Sequence, residues 1–78
     1  MLTADEVVKK LRIRGMKKLK RRAGFRMLRS EFKTLAGRTA LKGGFEQAVS
    51  DAGFTQNPDK PLIIGFGENF VMIARDYD

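Results

Sequence analysis

The stretch Leu62-Ile63-Ile64-Gly65-Phe66-Gly67-Glu68-Asn69-Phe70-Val71-Met72-Ile73-Ala74 decides the fold. Two runs rich in Ile, Val and Phe flank Gly67-Glu68-Asn69, which is the pattern of a β-hairpin over residues 62–74. Two registers fit. A two-residue turn at Gly67-Glu68 sets Ile64 opposite Val71, whereas a three-residue turn sets Phe66 opposite Phe70, and the slip exchanges the faces. Whichever of Phe66 and Phe70 is left outside becomes a dimer contact or a stacking surface. A lone hairpin is marginal in water, so helices from earlier in the chain must cover it. The class is therefore α+β. Gly65, Gly67 and the residues around them also suggest a phosphate-binding loop, but the third glycine is missing and a strand follows, so they read as hairpin glycines.

Working back from the hairpin, Thr55 to Pro61 is a turn-rich loop. Before it Leu41, Phe45, Ala48, Val49 and Ala52 share one helical face, which predicts a helix over 39–52, with Thr39 as its cap and Gly53 just past its end. Gly43-Gly44 is a flaw in that helix, at about 1 kcal/mol per Gly against Ala. Leu28, Phe32 and Leu35 predict a helix over 25–36 that Gly37 ends. Residues 15–24 are a basic segment, either a short helix or a mobile arm. At the start, Thr3 and Glu6 have capping-box spacing and Leu2 and Val7 staple spacing, so a helix over 3–14 buries Val7, Val8 and Leu11.

The 78 residues make one small domain with no cysteine to staple it, so packing has to hold it. Helix, tight turn, helix, hairpin in this order, over Phe25 to Ala74, looks like a winged helix-turn-helix domain. The resemblance implies a small winged-helix-like domain of about three helices, in which the third helix enters the major groove and the hairpin is the wing. It also implies that Arg38, Thr39, Lys42 and Gln47, on or near the third helix, face DNA. Helix N-termini favour phosphate, and Gln or Arg reads purine edges.

The charge distribution points the same way independently. Formal charge is −2 over Met1 to Val8, +13 over Lys9 to Lys42 and −4 over Gly43 to Asp78, making +7 in all. Fourteen of the sixteen Lys and Arg lie in the central block, whose single acid is Glu31. Like charges spaced along a helix repel by several tenths of a kcal/mol per pair, a cost that a polyanion relieves. Lys17, Lys18, Lys20, Arg21, Arg22, Arg26 and Arg29 are the expected phosphate contacts, which hold a nucleic acid without reading it.

Catalysis finds little support. The chain has no His and no Cys, which removes the commonest general base, metal ligand and thiol nucleophile. Its carboxylates form no paired motif. The chain is expected not to be an enzyme and to need no cofactor or metal. No apolar run reaches the ~20 residues of a bilayer span, and no signal peptide is evident, so a cytoplasmic location is expected.

The expected function is that of a small DNA-binding protein, a transcription regulator or architectural factor. Sequence-specific use would call for a homodimer on a palindrome. RNA or a ribonucleoprotein is the alternative partner, and docking of the basic block on an acidic protein or anionic lipid is the reading from a different class.

Overall fold

A computed structural model describes residues 1–78. Helix α1 (Ala4–Gly15) begins as the capping box requires: the Thr3 hydroxyl accepts the Glu6 N–H at 3.3 Å, and the Glu6 carboxylate accepts the Thr3 N–H at 2.9 Å. The bonds to Thr3, backbone first, hold the Glu6 carboxyl below its ordinary pKa. Val7, Val8 and Leu11 are fully buried. Gly15 is the last residue of the helix, and the close approach of the Phe25 ring, which a Cβ there would meet at 2.5 Å, accounts for a glycine at that position.

The segment after Gly15 departs from the expected order. Residues 15–24 supply one helical turn, α2 (Lys18–Arg21), pinned by buried Leu19. Residues 25–28, expected to be helical, belong instead to strand β1 (Gly24–Leu28), and helix α3 spans only Arg29–Ala36. The apolar residues of 25–36 mix two periods. Phe25 and Met27 alternate with Arg26 and Leu28 as a strand requires, while Phe32 and Ala36 are the buried residues of α3. Leu28 sits on the strand and not on the helical stripe. At the other end Gly37 takes φ +67°, and the bonds Gly37 N–H to Thr34 C=O (3.1 Å) and Arg38 N–H to Lys33 C=O (2.9 Å) form a Schellman stop.

The helix expected over 39–52 is also displaced. Residues 37–44 form a connection, Gly43 turning at φ +63° and Gly44 standing at the N-cap, before helix α4 (Phe45–Thr55) begins. Thr39 caps nothing, and no tight turn joins α3 to α4. The two glycines that weaken a helix interior lie outside the helix. Gly53 does not end α4 but lies within it, where a Cβ would collide with the Leu62 carbonyl oxygen. Close approach of the β2 backbone is therefore the reason for a glycine at that position.

Strands β2 (Leu62–Phe66) and β3 (Phe70–Arg75) form the hairpin, and β1 joins β3 from the other side, giving an antiparallel sheet in the order β1-β3-β2. The register is neither of those anticipated. Phe66 faces Val71 and Ile64 faces Ile73, and the Gly67 N–H donates to the Phe70 carbonyl at 2.8 Å, which leaves Glu68-Asn69 as the turn. Leu62, Ile64, Val71, Ile73 and Met27 consequently face the helices and are buried. Phe66 also faces inward, meeting the fully buried Phe32 edge-on with centroids 5.1 Å apart, and Phe70 faces outward. Helix α1 packs on α4, and α4 on β2.

Two glycine substitutions separate packing from propensity. Gly53→Ala should destabilise the fold by about 1–3 kcal/mol, although Ala is the better helix former, because the strand carbonyl has to move. Gly65→Ala, where a Cβ on the open sheet face meets nothing within 4 Å, should be neutral or stabilising by about 0.5–1 kcal/mol. Urea denaturation midpoints measure both, and a stabilised Gly53→Ala would contradict the α4–β2 contact.

Candidate nucleic-acid interface

The cations of the basic block divide by what holds them. Arg12 leaves α1 to tie down the far end of α4. Its Nε donates to Gln56 Oε1, and its two Nη atoms donate to the carbonyls of Lys60 and Gly53. Partial burial lowers the pKa of its guanidinium, opposed by the charge of Tyr77.

Arg29, expected as a phosphate contact, is a brace. Its guanidinium donates to the Gly67 carbonyl at 3.1 Å and pairs with Glu46 of α4, joining the hairpin to that helix. Arg38 also turns inward, stacking 3.6 Å from the Phe45 ring centroid and donating to the Leu2 carbonyl at 3.1 Å, with its Nε buried and unpartnered. Both are half-buried. Neither is free to meet a phosphate without giving up a fold contact.

Lys17, Lys18, Lys20, Arg21 and Arg22 are the opposite case. They are exposed, and none has a carboxylate within 4.0 Å, since the ion pairs are Arg14–Glu31 and Arg29–Glu46. A single turn of helix held by Leu19 carries Lys18, Lys20 and Arg21, and with Lys17 at its N-cap they alone line one shallow hollow of about 490 Å³. Four cations sharing one hollow with no anion raise the local potential, the arrangement that draws in a polyanion.

A second cleft, of about 690 Å³, opens between α2 and the sheet. Lys18, Arg21, Arg22 and Arg26 line it together with Gly24, Phe25 and Met72. Arg26 stands on the outer sheet face with its guanidinium 4.7 Å from the Phe70 centroid, and Lys18 Nζ lies 5.2 Å from that of Phe25. Six of the expected site residues (Lys17, Lys18, Lys20, Arg21, Arg22 and Arg26) thus border two hollows that share Lys18 and Arg21. Gly24, Phe25 and Met72 were not anticipated, and the alternation over 24–28 is the signal that would have revealed them.

The residues expected to read bases lie elsewhere. Thr39 and Lys42 are exposed on the connection before α4, and Gln47 on α4 donates to Asp51 one turn on at 2.9 Å. Helix α4 carries Glu46 and Asp51 and no cation. Its net charge is −2, and Phe54 protrudes from it.

Comparison with family models, curated proteins and solved structures finds no match for the chain. No helix is long and apolar enough to cross a membrane. The site has to be judged on its own chemistry.

Fold-bound and free cations should respond differently to mutation. Arg12→Met, which keeps the stem and loses the hydrogen bonds, should cost about 1–3 kcal/mol of stability. Lys20→Met should change it by less than about 0.5 kcal/mol. Equal effects in chemical denaturation would contradict the division.

Proposed function

We propose that the protein is a non-catalytic nucleic-acid-binding protein that grips the phosphate backbone with Lys17, Lys18, Lys20, Arg21, Arg22 and Arg26. The observation that carries this reading is the hollow on α2 lined wholly by cations without carboxylate partners. Fixing those charges side by side costs free energy in the isolated protein, and bound phosphates offset it. Such contacts position a nucleic acid without reading its sequence. An architectural role on duplex DNA follows in preference to sequence-specific regulation.

The chain order, with a strand between the first helices and a sheet ordered β1-β3-β2, is compatible with a winged helix in which α4 is the third helix and β2–β3 the wing. The chemistry of those two pieces argues against their use as the principal DNA contacts. An α4 with net charge −2 would be repelled by the groove's phosphates, and Glu68 at the hairpin turn would be repelled likewise. The basic surface on α2 and β1 therefore takes the main role, with Thr39, Lys42 and Gln47 peripheral to it.

Replacing Lys17, Lys18, Arg21 and Arg22 together by Ala should weaken binding to every duplex alike. It should also reduce the slope of log K against log salt by up to ~0.9 per lost contact, which fluorescence anisotropy at several salt concentrations measures. Gln47→Ala should change affinity less than about twofold. If Gln47→Ala alters preference among sequences while the quadruple variant keeps its slope, α4 is the reading element and the proposal fails.

A further inference from the structure

The outer face of the sheet has no helix over it, and its composition is unusual for a surface exposed to water. Opposed residues in an antiparallel sheet share a face, so the rows Gly24–Ala74–Ile63, Arg26–Met72–Gly65 and Leu28–Phe70 all point outward. Leu28 and Ile63 are each 46% exposed, Phe70 38% and Met72 54%. None of these outward residues is acidic. Gly24 and Ala74 leave one end of the face low, and Gly65 leaves the β2 side of its middle row without a side chain, while Met72 stands at the centre on β3. Arg26 and Phe70 rise beside it, and the cleft toward Lys18, Arg21 and Arg22 opens at one end.

An outward aromatic ring with an Arg stacked on it, an apolar neighbour and a rail of cations at one edge are the parts with which single-stranded nucleic acid is held: rings take the bases and cations track the backbone. The cleft volume of about 690 Å³ falls in the range of sites that enclose a small molecule, roughly 300–1,000 Å³. A second copy of the chain fits the face less well. A two-fold pairing sets identical patches against each other, so Arg26 and the α2 cations would approach their own copies with no acid on the face to answer them.

Resting on the phosphate-binding reading and deepening it, we propose that this face seats an unpaired base, stacked against Phe70, Arg26 and Met72, while its phosphates lie on the cations of α2. The substrate class is then nucleic acid with unpaired nucleotides, such as a single strand, a frayed end or a bulge. The duplex is held by its phosphates alone.

The test uses the full chain and three labelled probes: an oligothymidylate, an abasic deoxyribose-phosphate strand of the same length and charge, and a duplex. The expected result is oligothymidylate bound about 5- to 100-fold more tightly than the abasic strand. Phe70→Ala combined with Met72→Ala should bring that ratio close to one and leave abasic and duplex affinities unchanged. Should that pair lose helical circular dichroism, Phe70→Leu, which keeps apolar bulk without a flat ring, decides by the same ratio. Equal binding of thymidylate and abasic strands by the native protein overturns the platform and leaves the phosphate reading standing, as does a ratio that survives the variants. A chain that sediments as a dimer separated by Met72→Glu makes the face a homotypic contact and overturns the platform. Failure to bind any probe at low salt overturns both readings.

Discussion

The pairing of β1 with β3 is the constraint on which the rest of the structure depends. It takes the middle of the basic block and fixes it as the third strand of a sheet whose other two strands come from the C-terminal part of the chain, with Phe25 opposite Ile73 and Met27 opposite Val71. Those inward residues complete the floor of the core beneath Phe32. The outward residues of the same strand place Arg26 beside Met72 and Phe70, and the segment before it sets Lys18, Arg21 and Arg22 along the cleft at the strand's start. Without that strand the hairpin would be a two-stranded ribbon with an open edge, too small to bury a core by itself.

Charge in this molecule is sorted by burial. Arg12, Arg29 and Arg38 reach carbonyls, an acid and an aromatic ring, and so join elements that the apolar core alone would leave loosely connected. Cations with such partners are costly to remove because the acceptors they satisfy would be left behind. The α2 cations have no carboxylate partner in the chain, and an exposed charge adds little to stability. Their concentration on one turn is what the proposed binding of phosphates would account for.

Much of the fold was legible in the sequence, and the failures have physical causes. The capping box at Thr3, the stop at Gly37 and the hairpin runs are local signals, and each is used as read. The stretch 25–28 was misread because Leu28, Phe32 and Leu35 mimic a helical stripe across a boundary between a strand and a helix. The turn register escaped because its choice depends on which side chains the helices bury, a tertiary matter. The start of α4 was placed too early when Gly43-Gly44 was read through, although two adjacent glycines argue for a break. In the site, exposure of the α2 cations was foreseeable from their density. The inward turn of Arg29 and Arg38 was not, since their partners Gly67, Glu46, Leu2 and Phe45 lie far along the chain or across a loop.

The central claim is that α2 and the outer side of β1, not α4, form the binding surface. The most direct measurement is a backbone amide NMR titration of the full chain with a nucleic acid that has both paired and unpaired nucleotides. The account predicts shift changes concentrated over Lys17 to Arg26 and at Phe70 and Met72, with Gln47, Asp51 and Thr55 on α4 unmoved. Changes centred on α4 and on the Glu68-Asn69 turn, with α2 silent, would contradict it.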